Sequence, residues 1–205
     1  STGFYENHYP VKNTPEFLKA HVSLPQHFAA SGYKTLTAGK VFHPGVNLNR
    51  HFDVVGPRSG QWLKSLDRKV HDKPKGWHST WDFGPQDYDE SKFIDHITAT
   101  WVAEQLGSEH DKPFFLAFRF YRPHVPFFPP RRVYDSFRDV QLPRVDDDDW
   151  NDIPNAARKV SMSNPKIPTH DWMRENGRWE EAVHAYLACV RWTDEQIGRV
   201  LDALD

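Results

Sequence analysis

The chain has 205 residues, enough for one large domain or a substantial part of one, and 26 basic against 28 acidic side chains give a formal charge of −2. That balance supplies no global field for nucleic acid or membrane surfaces. The one cysteine, Cys189, excludes an internal disulfide and a paired-cysteine metal site, and no run approaches the roughly 18–20 apolar residues of a membrane span. Aromatic residues make up 14%, with eight Trp and sixteen Pro, which suits a globular protein with long, Pro-punctuated loops.

The first helix signal is Thr14-Pro15-Glu16-Phe17, with Thr as cap and Pro at the first helical position. Ser23-Leu24-Pro25-Gln26 resembles a capping box, Leu24, His27, Phe28 and Ala30 follow at helical spacing, and Gly32 stands where a terminator belongs. Tyr33 to Ala38 then reads as a short strand running into Gly39-Lys40. Residues 44–90 carry little period and include the Trp81-Asp-Phe-Gly-Pro85 run, the pattern of a long functional loop or insertion. Ser91 to Leu106 predicts an amphipathic helix with Phe93, Ile94, Ile97, Trp101, Val102 and Leu106 on one face.

Phe114 to Phe120 is an apolar run of strand length arriving just after that helix, so it predicts a buried strand of a mostly parallel sheet. It leads into Tyr121-Arg122-Pro123-His124-Val125-Pro126, where prolines restrict the backbone. The acidic run Asp146 to Asp149 lacks the turn-forming Gly of a calcium loop and reads as a solvated loop. Trp179 to Leu204 predicts a long helix with Val183, Tyr186, Val190, Ile197, Val200, Leu201 and Leu204 at its apolar positions, and Cys189 as a small buried residue. The fold class is α/β.

Two places carry chemistry because ionisable groups stand just past predicted strands, the edge where open α/β sheets bind ligands. In Gly39-Lys40-Val41-Phe42-His43-Pro44-Gly45, glycines let backbone approach a ligand, Lys40 offers a compact positive charge for an oxyanion, and His43 can move a proton near neutral pH; a plain turn with a solvated Lys is the competing reading. In Arg122-Pro-His124-Val-Pro126, two prolines hold an imidazole in one direction, which suits a general acid; a structural loop is the competing reading. No Gly-x-Ser-x-Gly elbow, His-Glu-x-x-His or Walker-type loop occurs, and the twelve His show no ligand spacing for a metal. Aromatic side chains in 60–90 could stack on sugar rings, although core packing is the commoner role.

Three segments in order resemble the sulfatase family. Gly32-Tyr-Lys-Thr-Leu-Thr-Ala-Gly39-Lys40-Val-Phe-His43 is similar to the family's second signature, and its Lys-to-His spacing resembles the iduronate-2-sulfatase-like branch. Lys112-Pro-Phe-Phe-Leu-Ala followed by Arg122-Pro-His-Val-Pro-Phe resembles the same branch, as does Tyr186 to Leu204. The resemblance implies an alkaline-phosphatase-like α/β fold, a mostly parallel sheet flanked by helices, and hydrolysis of a sulfate ester. Its implied catalytic residues are Lys40, His43 and His124, with Lys40, His124 and Arg122 binding substrate. It also implies a calcium ion and a formylglycine nucleophile. Neither the nucleophile motif Cys/Ser-x-Pro-x-Arg nor the late metal-ligand segment occurs in this sequence, so no metal ligand is expected among these residues.

Residues 1–205 are therefore expected to be an interior part of the catalytic domain, truncated at both ends and inactive alone. The implied substrate is a sulfated sugar or uronic acid unit of a polysaccharide, and the implied compartment is periplasmic, extracellular or lysosomal. Two other readings stand beside this one: a phosphodiesterase or phosphonate hydrolase of the same superfamily, and a non-catalytic module binding sulfated carbohydrate.

Overall fold

A computed structural model describes residues 18–42, 46–58, 69–72, 76–78, 81–142, 144, 146, 148–162 and 166–205. The chain divides into two compact units. The first comprises Ser1–Leu66, Asp89–Tyr121 and Glu195–Asp205; the second comprises Asp67–Tyr88 and Arg122–Asp194.

The first unit is a parallel α/β layer, as the sequence predicts. Helix α1 (Leu24–Ala30) opens at Ser23 with the anticipated capping box, the Ser23 N–H donating to Gln26 Oε1 at 2.9 Å. It closes at Gly32, whose φ of 88° lets Tyr33 N–H reach the Phe28 carbonyl (3.1 Å) and Gly32 N–H reach that of Ala29 (3.0 Å). The Tyr33 ring then packs edge-on to Phe28, with centroids 5.1 Å apart. This terminator turns the chain directly into strand β1 (Lys34–Gly39). The signal at Thr14 to Phe17 lies outside the described residues, while 18–20 are helical.

Strand β1 is central, flanked by β2 (Val54–Val55) and β3 (Phe114–Arg119), and both pairings are parallel. Register sets Leu36 opposite both Val54 and Leu116, and Gly39 opposite Arg119. Thr35, Leu36, Thr37 and Ala38 are buried in succession because both faces of the sheet are covered. On one face Ala38, Leu116, Phe118 and Phe120 pack with Ala99 and Val102 of helix α2 (Ile94–Leu106) and with Val200. On the other, Phe115 and Ala117 pack with Val46, Leu48, Phe52 and Val55. Phe115 also stacks on Phe28, with centroids 4.4 Å apart and planes 14° from parallel. The period-2 alternation of β3 thus feeds two cores from one apolar run.

Two expectations change. Strand β3 is half-buried, because it takes the outer place beside β1 in the described sheet, and Arg119 is exposed. Helix α2 begins at Ile94 after a short 3-10 turn over Glu90–Lys92, and its covered face includes Asp95, Thr98 and Ala99, whereas Ile97 and Trp101 are half-buried. Asp95 enters that face because its carboxylate accepts the N–H of Tyr121, fixing the chain where it leaves β3.

The second unit is held by a loop ladder and short helices. Residues 81–86 run parallel to 127–131: Phe127 N–H donates to the Asp82 carbonyl (2.9 Å), Gly84 N–H to Phe127 (3.0 Å), Gln86 N–H to Pro129 (3.0 Å) and Arg131 N–H to Gln86 (3.1 Å). The ladder gives the Trp81–Pro85 run, which lacks any period, a defined place. Helices α3 (Arg131–Asp135), α4 (Asn155–Ser161) and α5 (His170–Glu175) follow. Phe83, Met173, Ala182 and Ala185 form this unit's core, packed by Phe127, Tyr134, Trp172 and Trp179.

Helix α6 (Trp179–Leu201) belongs to the second unit as far as Asp194 and to the first from Glu195. Its covered positions are Ala182, Ala185, Ala188, Cys189, Trp192, Gln196 and Val200. Of the predicted apolar positions Val200 is buried, but Tyr186, Val190, Ile197, Leu201 and Leu204 are exposed. The helix packs through small side chains and one large Trp, so counting bulky apolar residues selects the wrong face. Cys189 is buried as predicted. No described helix is long and apolar enough to cross a membrane.

Candidate active site

Lys40 follows the central strand of the parallel sheet, at its carboxyl end, where ligands meet open α/β sheets. Its placement depends on Gly39. At φ 74° the chain turns sharply against β3, and a Cβ on Gly39 would stand 1.9 Å from the Arg119 carbonyl oxygen. Gly39 N–H donates to the Pro57 carbonyl (2.7 Å), and Lys40 N–H points to the Arg119 carbonyl (3.4 Å). The Lys40 ammonium lies over the Tyr121 ring, 5.4 Å from its centroid. Partial burial first, and the Arg119 guanidinium second, hold Lys40 below the ordinary lysine pKa. The sequence-predicted partner His43 lies outside the described residues.

In the second unit, the segment from Arg122 to Pro126 carries two cis peptide bonds, Arg122–Pro123 and Val125–Pro126. His124 is exposed, and its Nδ1 lies 2.7 Å from the Val125 carbonyl oxygen. A carbonyl only accepts, so Nδ1 carries the hydrogen, and any proton the ring passes on leaves from Nε2. Arg122 is buried, with Nε donating to the Phe128 carbonyl at 3.1 Å, while its own carbonyl accepts from Thr193 Oγ1 at 3.1 Å. Those bonds close the Pro-rich loop on itself and fix the direction in which His124 is presented. Lys40 and His124 thus belong to different units.

One residue absent from the sequence-predicted set supports this loop. Asp82 is buried, and its carboxylate accepts the N–H groups of Val70 (3.0 Å), His71 (3.2 Å) and Phe83 (2.9 Å). It thereby anchors the strip that pairs with 127–131. An Asp inside a Trp- and Gly-rich run was the available signal, but its three partners are legible only in the fold.

Among the described residues, the only three acidic, His or Cys side chains that could share an ion are Asp146, Asp148 and Asp149, whose ligand atoms lie within 4.8 Å of one another. All three are exposed, in keeping with a solvated acidic loop.

The sequence model of the Sulfatase family matches residues 1–205. A sulfatase of Formosa agariphila is 34% identical over 200 residues, covering 92% of this chain and 39% of the relative. Iduronate 2-sulfatase of Homo sapiens is 27% identical over 209 residues, covering 89% of this chain and 37% of its own length. An arylsulfatase of Clostridium perfringens is 31% identical over 133 residues, 62% of this chain. The chain thus spans less than two-fifths of the length of these relatives. A family match from end to end, on a parallel α/β frame, means that this chain belongs to the sulfatase family.

Proposed function

We propose that the protein containing this chain hydrolyses sulfate esters, acting on a sulfated sugar or uronic acid unit of a polysaccharide. The observation that carries this reading is Lys40, a partly desolvated cation fixed at the carboxyl end of the central parallel strand of a sulfatase-family chain. Lys40 binds a sulfate oxygen and offsets the negative charge handled in the transition state. Half-burial strengthens that attraction relative to a lysine in open water.

His124 contacts the sulfate and protonates the leaving sugar oxygen. The Val125 carbonyl on Nδ1 leaves Nε2 as the atom that delivers the proton. Arg122 assists substrate binding and keeps the His124 loop closed. His43 is assigned to hydrogen bonding with the nucleophile and to proton handling after sulfate transfer. The calcium ion and formylglycine implied by the resemblance are assigned to no residue of this chain. An exported or lysosomal compartment goes with the same proposal.

The test is hydrolysis of paired sulfate and phosphate esters of one alcohol by the full-length protein, with Lys40→Ala beside the wild type. Preferential sulfate release, reduced ~100-fold or more by Lys40→Ala, is the expected result. Preferential cleavage of a phosphodiester or phosphonate monoester of the same alcohol, assayed beside the pair, would move the protein to the phosphodiesterase or phosphonate hydrolase class. Binding of sulfated sugar without turnover would make it a carbohydrate-binding module.

A further inference from the structure

We infer that Arg119 is a second anion-binding residue of this site, one that seats a negatively charged group next to the sulfate held by Lys40. This rests on the proposed sulfate-ester reading and adds a specificity to it: preference for a sugar bearing two anionic groups, the reacting sulfate and a neighbouring carboxylate or second sulfate.

Arg119 ends strand β3 exactly opposite Gly39 in the parallel register, one residue before Lys40 on the neighbouring strand. The backbones are in close approach there, with Lys40 N–H directed at the Arg119 carbonyl at 3.4 Å. Arg119 is the one charged residue of the otherwise apolar strand Phe114–Arg119, and it is exposed at the strand's carboxyl end. Register therefore brings two cations from adjacent strands to the same edge.

Their mutual repulsion is felt, since Arg119 helps to depress the Lys40 pKa. Among the described residues, neither side chain forms an ion pair with a carboxylate. Two like charges presented at one edge attract an anion more strongly than either does alone. Lys40, seated over the Tyr121 ring, offers a point charge suited to one sulfate oxygen. Arg119 offers a planar fork whose two parallel N–H groups match a carboxylate or a second sulfate. Aliphatic side chains in β3 alone would serve the sheet equally well, so the core does not account for the guanidinium.

The test uses the full-length protein and three substrates that share the reacting sulfate: a monosulfated neutral hexose, a monosulfated hexuronate and a disulfated hexose. Arg119→Met keeps the side-chain stem and removes the charge. The expected result is a fall of tenfold or more in the ratio of kcat/KM for at least one two-charge substrate over the neutral hexose sulfate, expressed mainly in KM. Arg119→Lys should recover part of that ratio. Whichever two-charge substrate responds identifies carboxylate or sulfate as the group that Arg119 reads. Ratios for both that do not fall, with the wild type active, overturn the role of Arg119 and leave the sulfatase reading intact. A wild type that cleaves none of the three overturns the sulfatase reading and this inference together. Because Arg119 is exposed, the thermal midpoint of Arg119→Met should match the wild type, which separates lost recognition from lost structure.

Discussion

The α-carbon of Gly39 faces the backbone of Arg119 so closely that an added Cβ would meet the carbonyl oxygen at 1.9 Å and the carbonyl carbon at 2.9 Å. The obstacle is backbone on a paired strand, so no side-chain rotation relieves it. The φ of 74° adds a second barrier, since L side chains avoid that region. Gly39→Ala should therefore cost roughly 2 kcal/mol or more. It should also displace Lys40, because the turn that presents Lys40 is the feature lost. Urea melts measure the first effect. Retention of wild-type stability by Gly39→Ala would mean that the close approach is not maintained in solution.

Lys40 supplies a prediction with a definite sign. Its folded-state pKa lies below the ordinary lysine value, chiefly through burial and secondarily through Arg119. The folded state thus binds fewer protons than the unfolded state as pH crosses the interval between the two values. Stability rises with pH through that window, and the cost of holding the charged ammonium is present in full below it. Removing the Arg119 charge with Arg119→Met should raise the Lys40 pKa part of the way, leaving the larger burial effect. Sulfate should raise it as well by stabilising the charged form. Titration of the side-chain nitrogen by NMR checks both shifts, and a Lys40 pKa insensitive to sulfate would argue against direct anion contact.

How far these features can be read without a structure depends on the kind of signal each one leaves. Ser23 and Gly32 mark the two ends of α1 because caps and terminators are local chemistry. Strand β3 is legible because an apolar run after a helix suits a parallel strand, and its two cores follow from alternation. Helix α6 misleads, since its covered face is built of Ala182, Ala185, Ala188 and Cys189 around Trp192 and leaves Tyr186, Val190 and Ile197 outside. Asp82 binds Val70 and His71 from 12 and 11 residues away, and Arg119 meets Gly39 on a different strand, pairings that no local pattern encodes. Lys40 and His124 stand out beforehand because each follows a strand with Gly or Pro beside it.

Asp53 clamps the start of β1. Its Oδ2 accepts from Thr35 N–H (2.8 Å) and Thr35 Oγ1 (2.9 Å), and its own N–H donates back to the Thr35 carbonyl (2.9 Å). Bonds from the Thr35 backbone and then its hydroxyl hold the carboxyl below the ordinary aspartate range, with smaller help from Lys112 and Lys34. A depressed carboxylate pKa contributes stability above the unfolded-state value, and that contribution is lost as pH falls through the folded-state one. Asp53→Asn should therefore flatten part of the acid limb of the stability curve while changing its neutral plateau only modestly, because Asp53 is exposed. Thermal midpoints collected from neutral pH down through the acid range would show this. An unchanged acid limb in the variant would remove Asp53 from the pH response.

Asp82 tests how the His124 loop is supported. Its buried carboxylate collects three backbone N–H groups, from Val70, His71 and Phe83, and its carbonyl accepts from Phe127. Asp82→Ala strands those donors in a site that is 6% exposed, at an expected cost of about 1–3 kcal/mol. Asp82→Asn retains a single acceptor oxygen and should fall between the two. The injury is confined to the strip paired with 127–131, so hydrogen exchange at Gly84, Gln86 and Phe127 should accelerate while Leu36 and Thr37 of β1 stay protected. In the full-length protein, a less firmly held His124 loop should lower kcat more than KM for an alkyl sulfate, whose leaving oxygen needs a proton, than for an activated aryl sulfate, whose leaving group does not. Equal losses on both esters would indicate that Asp82 maintains the fold generally and has no particular bearing on the proton delivery proposed for His124.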